Sequence, residues 1–170
     1  TYAIENWHRT AINAGTVNGI VASWTYNGGA NSSLKINGGT INGNVNSVNY
    51  GNAAGKKATV TIAGGPITGE LDTRSYDPTT NTLTSINDPA KATIEVTGGT
   101  FTKDPTKYLA DGIIIKTNDD GKYIADMPYI ATVDGQGYYD IASAFKAQTD
   151  SKQPIILQRN CTNKSVFNSG

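Results

Sequence analysis

One cysteine, one histidine, one methionine and a net charge of zero narrow what this 170-residue chain can do. A lone cysteine, Cys161, excludes an internal disulfide framework. Basic and acidic residues balance at 14 each, so no cationic excess is present to neutralise phosphates, and nucleic acid is not an expected partner. No apolar run approaches the roughly 20 residues of a membrane-spanning helix, so no membrane contact is expected of this chain. Charged residues make up only 16% and aromatic residues 8%, against 19 glycines and many Asn, Thr and Ser. That balance fits a β-rich extracellular module. It fits disorder poorly, because the apolar residues it does contain are regularly spaced. The chain opens in mid-pattern and ends on Asn168-Ser169-Gly170, which reads as a piece of a longer protein.

What is present is a repeat. Ile12-Asn13-Ala14-Gly15-Thr16-Val17-Asn18-Gly19 returns as Ile36-Asn37-Gly38-Gly39-Thr40-Ile41-Asn42-Gly43. It returns again as Ile62-Ala63-Gly64-Gly65-Pro66-Ile67-Thr68-Gly69, and a fourth copy starts Val96-Thr97-Gly98-Gly99-Thr100-Phe101. From Gly15 to Gly39 is 24 positions, from Gly39 to Gly65 is 26, and from Gly65 to Gly99 is 34, so the last step has room for a protruding loop at residues 77–90. Periods of this size are one turn of a solenoid.

Four apolar columns follow from the alignment. They are Ile12/Ile36/Ile62/Val96, Val17/Ile41/Ile67/Phe101, Val21/Val45/Leu71, and Leu34/Val60/Ile94 with Thr10 in the first copy. Leu34-Lys35-Ile36, Val60-Thr61-Ile62 and Ile94-Glu95-Val96 alternate apolar-polar-apolar, which predicts strands with one buried face. The paired glycines fall where a coil must turn a corner, and Pro66 suits a strand start. The expected fold is mostly β: a short right-handed parallel β-helix of about four coils over residues 1–112, with a small α/β appendage over 113–170.

Beyond Phe101 the pattern changes. Asp104-Pro105 starts a short helical turn through Tyr108-Leu109 to a stop at Gly112. Ile113–Lys116 and Lys122–Ile124 flank Asn118-Asp119-Asp120-Gly121 as a hairpin. A strand is expected over Tyr129–Val133, meeting Gly135-Gln136-Gly137. A helix follows with Asp140 as N-cap and Ile141, Ala144 and Phe145 on one face, and a last strand runs from Gln153 to Gln158. The segment Gly98-Gly99-Thr100-Phe101-Thr102-Lys103-Asp104-Pro105, with Tyr108-Leu109-Ala110-Asp111-Gly112 and Asp120-Gly121-Lys122-Tyr123, resembles a signature that closes β-solenoid domains in large surface or secreted proteins of gut-type Gram-positive bacteria. Gly137-Tyr138-Tyr139-Asp140-Ile141 and Ile155-Ile156-Leu157 resemble the opening of the next solenoid in such proteins. The resemblance spans roughly residues 34–157, and the text departs from it after Leu157. It implies an extracellular, repeat-built, adhesin-like protein with glycans, cell-surface proteins or neighbouring domains as partners. It implies no enzymatic activity and no mapped site.

Chemistry-bearing residues are few. Adding 11 to Gly15, Gly39 and Gly65 gives Tyr26, Tyr50 and Tyr76, with Trp24 two positions before Tyr26. Such an aromatic ladder either stacks on sugar rings or packs at a corner of the repeat. Glu70, Asp72 and Arg74, followed by Asp77, are the nearest approach to the acidic cluster of a polysaccharide lyase or hydrolase, but the preceding coil carries Asn44 and Asn46 there. His8, beside Trp7 and Arg9, would need a Ser, Cys or Thr and an orienting carboxylate to act as a base, but it lies before the first clear coil, where a cap is expected, and Cys161 lies in polar text. Asp119-Asp120-Gly121 lacks the ligand series of a calcium loop, so no metal or cofactor is expected. Outward threonines such as Thr59 and Thr61 do not form an ice-binding array, because Lys35 and Glu95 interrupt the row. Asn31, Asn160 and Asn163 begin glycosylation sequons of the kind chance supplies in a chain this rich in Asn, Ser and Thr. The leading expectation is a non-catalytic structural or display module. The alternatives are a carbohydrate-binding module and a catalytic solenoid.

Overall fold

The computed structural model describes residues 1–26, 29–51, 53, 55–127, 129–148 and 154–157. The chain is mostly β, and it divides into two compact units, Thr1–Asp126 and Met127–Gly170. β1 (Tyr2–Asn6) precedes the first repeat, which supplies β2 (Arg9–Ile12), β3 (Thr16–Asn18) and β4 (Ile20–Trp24). The second supplies β5 (Ser32–Ile36), β6 (Thr40–Asn42) and β7 (Val45–Tyr50). The third supplies β8 (Ala58–Ile62), β9 (Pro66–Ile67) and β10 (Leu71–Asp77), followed by β11 (Thr82–Ser85). The fourth supplies β12 (Ala92–Val96) and β13 (Gly99–Phe101), and the unit ends with β14 (Ile114–Thr117) and β15 (Tyr123–Asp126).

Strands from successive repeats pair in parallel, and they do so at the predicted register. Ile12 faces Ile36, Ile36 faces Ile62, and Ile62 faces Val96 across β2, β5, β8 and β12. Thr10, Leu34, Val60 and Ile94 are partners in the same sheet. Val17, Ile41, Ile67 and Phe101 align across β3, β6, β9 and β13. Val21, Val45 and Leu71 align across β4, β7 and β10. All three sheets contribute to one buried cluster, in which Leu34, Ile36, Ile41, Val45, Ile62 and Val96 have no exposed surface. Full burial of side chains of this size is worth roughly 1.5–3 kcal/mol each.

The polar letters of the motif have work too. Asn37 donates through Nδ2 to Asn13 Oδ1 at 2.8 Å, and Asn42 donates likewise to Asn18 at 2.9 Å. Gly15, preceded by Ala14, and the second glycine of each later pair, Gly39, Gly65 and Gly99, have positive φ. At Gly65 a Cβ would also lie 2.1 Å from the carbonyl oxygen of Gly39.

The sheets are not purely parallel. β11 pairs antiparallel with β10 through a turn in which Asn81 takes a positive φ, so the expected loop at residues 77–90 contains a hairpin strand. β15 pairs antiparallel with β13 on one side and with β14 on the other, so the parallel pairing of that sheet ends at β13. This hairpin is why the boundary expected at residue 112 falls after Asp126: its strands extend a sheet of the first unit, and Ile113 and Ala125 join that unit's core. Between β13 and β14, the helical turn is a 3-10 turn, Thr106–Tyr108. Asp104 accepts hydrogen bonds from the side chain and backbone of Thr106, which hold its carboxyl below the ordinary value. Leu109 then makes a parallel bridge to Val96.

In the second unit β16 (Ala131–Val133) pairs antiparallel with β17 (Gln136–Tyr138) and β18 (Ile155–Leu157). The turn falls at Asp134 and Gly135, both with positive φ, so Gln136-Gly137 belongs to a strand rather than to the turn. Helix α1 (Ile141–Ala147) has the expected Asp140 cap, whose carboxylate accepts from the Ser143 backbone at 2.7 Å and from its hydroxyl at 2.6 Å. Ala144 is buried against Ala131 and Val133, and Ile141 is half-buried beside them. Phe145, expected on the buried face, is exposed. The ends of the last expected strand, Gln153 and Gln158, lie outside the described residues. Among the described residues no helix is long and apolar enough to cross a membrane.

Candidate functional site

Alternation along β4, β7 and β10 decides which side chains leave the core. Val45, Ser47 and Asn49 point inward: Val45 joins the main cluster, Ser47 donates to the Ala58 carbonyl, and Asn49 donates to Thr25 and to the Lys56 carbonyl. Asn46, Val48 and Tyr50 therefore face outward. In register with them stand Ala22 and Trp24 on β4 and Asp72, Arg74 and Tyr76 on β10. The predicted aromatic residues thus lie on the outer face of the sheet ordered β1-β4-β7-β10-β11.

They form a packed cluster rather than a row of free rings. Tyr26 and Tyr50 are 5.6 Å apart between ring centroids, and Tyr50 and Tyr76 are 5.1 Å apart. Trp24 touches Tyr76 edge-on at 5.9 Å and Tyr2 edge-on at 5.7 Å. Trp7 lies nearly flat over Trp24 at 5.4 Å with 25° between planes, and contacts Tyr26 and Tyr50 at 6.2 Å each. Contacts of this kind add about 0.5–1.5 kcal/mol each beyond the area they bury. Exposure separates the roles: Trp24 is 7% exposed, whereas Trp7 is 41% and Tyr26 55% exposed. Trp24 is accordingly the floor of the cluster and not a contact ring. Tyr50 and Tyr76 are half-buried, and Tyr76 donates its hydroxyl to Asn81 at 2.8 Å.

Trp7 and Tyr2 escaped the sequence reading. β1 meets β4 with an offset of 17 residues at Asn6/Ser23, not the 24–26 of later copies, and its register shifts between Tyr2 and Ile4. The available signal was the 17-residue step between the chain's two tryptophans.

The Asp72 and Arg74 charges of this face are paired locally, whereas the Trp24 Nε1 donor is buried with no hydrogen-bond partner among the described residues. Arg74 Nε lies 3.0 Å from Asp72 Oδ2, off the N–H axis, so the contact is an ion pair and not a directed hydrogen bond. Ser85 donates to the same Asp72 oxygen at 2.6 Å. Burial pushes the Tyr2 phenol above its ordinary value, with the positive charge of Arg74 acting the other way. Glu70 is exposed at the entry to β10, with its backbone N–H on Asn44 Oδ1. Asp77 accepts from the Thr79 N–H at 2.8 Å, and that backbone bond is the main cause holding its carboxyl below the ordinary value. Asp72 and Asp77 are thus engaged in separate local contacts, while Glu70 stands exposed at the strand entry. Among the described residues no group of three or more His, Cys, Asp or Glu is placed to hold a metal ion.

The remaining candidates scatter. His8 is exposed, with its backbone N–H on Asn6 Oδ1, while Cys161, Asn160 and Asn163 lie outside the described residues. Asn31 accepts from the Lys57 N–H, and the Ser32 that follows it is buried. Asp119-Asp120-Gly121 forms the β14–β15 turn, closed by Gly121 N–H to the Asn118 carbonyl at 2.9 Å. On the outer face of β8 and β12 an open groove of about 720 Å³ is lined by Thr59, Thr61, Thr93, Glu95, Lys107 and Tyr108. Its charges are of both signs, and Lys35, Thr61 and Glu95 share one outward row. Comparison with protein-family models, curated proteins and solved structures found no match for this chain.

Proposed function

We infer that the repeat region is a short right-handed parallel β-solenoid of about four coils. Its role is non-catalytic: a structural or display module of a larger, adhesin-like surface or secreted bacterial protein, with neighbouring domains and cell-surface glycans or proteins as partners. The observation that carries this reading is the parallel, residue-for-residue pairing of all four apolar columns across three sheets. Such pairing makes each repeat depend on its neighbours, as in a stack of coils. Inward positions fill the core, corner glycines let repeats approach, and the repeated asparagines bond to one another. Nearly every recurring letter is thereby given to building a rigid stack. The antiparallel β14–β15 hairpin supports a closing role for the segment after Phe101.

Electron microscopy of the full-length polypeptide carrying this chain tests the reading. An elongated particle with the repeat region as a stiff segment is the expected result. A compact, globular full-length particle would contradict it.

A further inference from the structure

The aromatic face has a property that stack-building does not require. Trp7 is fixed from below by Trp24 and at its edges by Tyr26 and Tyr50, yet it is 41% exposed. With one ring face on Trp24, its exposed surface is the opposite face and rim. Tyr26, 55% exposed, stands beside it. Two large rings are therefore held in place before any ligand arrives, and holding them costs little rotamer entropy on binding.

We propose that the outer face of the β1-β4-β7-β10-β11 sheet binds a neutral oligosaccharide or polysaccharide. Trp7 offers its open face as the stacking ring, Tyr26 stands beside it at 79° as a flanking wall, and the half-buried Tyr50 and Tyr76 continue the surface along the next two repeats. Three observations select this ligand class. First, rings recur along the ladder at 5.6 and 5.1 Å, about the length of one pyranose ring. A polyproline helix, the other common ligand of aromatic surfaces, presents the same side only every three residues, about 9 Å apart. Second, the cation aligned on this face, Arg74, is already paired with Asp72, and Glu5 adds a further negative charge. A single-stranded nucleic acid would find rings for its bases but no groove for its phosphates. Third, the site combines apolar ring faces with the phenolic hydroxyl of the exposed Tyr26, matching a sugar that carries a C–H face and a rim of hydroxyls. The proposal stands on the geometry of this sheet and is independent of the display reading.

The test uses the whole 170-residue chain in native affinity electrophoresis and tryptophan-fluorescence titration. The probes are soluble xyloglucan, galactomannan, mixed-linkage β-glucan and dextran, with decaproline and heparin as comparators. Retardation by at least one polysaccharide with a shifted tryptophan emission is expected. Trp7→Ala and Tyr26→Ala each weaken that binding about tenfold or more. Tyr26→Ala alters the most exposed ring and leaves the circular dichroism spectrum unchanged, so loss of fold does not confuse the reading. Glu95→Ala, on a different sheet, leaves binding intact. The proposal is overturned by the absence of retardation with every polysaccharide, by retardation of the Trp7→Ala and Tyr26→Ala variants equal to that of the unaltered chain, or by binding only to decaproline or heparin.

Discussion

Replacing Gly65 with alanine is expected to cost the first unit about 3 kcal/mol, while the same change at Gly15 costs about 1 kcal/mol. The two glycines occupy the same motif position and share the same backbone strain, with φ of 84° and 92°. An L-residue held there pays roughly 1–2 kcal/mol in either case. They differ in what lies alongside. A Cβ on Gly15 meets nothing within 4 Å, whereas a Cβ on Gly65 would sit 2.1 Å from the Gly39 carbonyl oxygen and 3.2 Å from the Gly38 carbonyl carbon. Those atoms are backbone of the preceding repeat and cannot swing aside as a side chain would. Relief requires the two repeats to separate, at the expense of the Thr68 N–H to Ile41 carbonyl bond and its neighbours. Denaturant unfolding followed by tryptophan fluorescence reads this unit alone, since both tryptophans, Trp7 and Trp24, belong to it. Equal losses for the two variants would mean that the repeats do not approach as described.

Phe101→Ala is expected to destabilise the same unit by about 3–5 kcal/mol. Phe101 is 1% exposed and is among the largest fully buried side chains. It takes the last place in the Val17/Ile41/Ile67 column, and across β13 and β15 it stands opposite Tyr123. The ring is thus the joint between the parallel pairing and the antiparallel hairpin, next to Ile113 and Ala125 in the core. Truncation leaves a cavity at that joint. Hydrogen exchange is expected to accelerate first at the amides of Tyr123 and Ala125 and last in β5 and β8. Uniform acceleration, or a loss under about 1 kcal/mol, would contradict the role assigned to Phe101.

Those two residues also show where the sequence was legible. Gly65 and Phe101 sit in the repeated motif, where period, alternation and corner glycines each point to the same register, and the paired strands follow it. Legibility ended where the copies stop matching. β1 uses a shorter offset, which hid Trp7 and Tyr2 and left the ladder without its outermost ring and one of its flanks. Thr82-Leu83-Thr84-Ser85 has no counterpart in the other copies, and its pairing with β10 depends on an asparagine in the left-handed region that composition does not announce. The turn residues after Gly112 announce the hairpin, but its membership of the first unit rests on pairing with β13, a long-range contact with no local sign. Trp24 and Tyr26 share one strand face by alternation, so sequence could not tell the buried ring from the exposed one; the cover over Trp24 comes from Trp7. Phe145 has the correct helical spacing but a different fate, because the small core of the second unit is filled by Ala131, Val133 and Ala144.

Parallel pairing of the repeats one period apart is tested most directly by through-hydrogen-bond NMR couplings. The Asn37 amide is bonded to the Ile12 carbonyl, the Ala63 amide to that of Ile36, and the Thr97 amide to that of Ile62, each at 2.8 Å. Scalar couplings across these three bonds are the predicted result. Couplings from the same amides to carbonyls one or two residues out of this register, or to antiparallel partners, would contradict it.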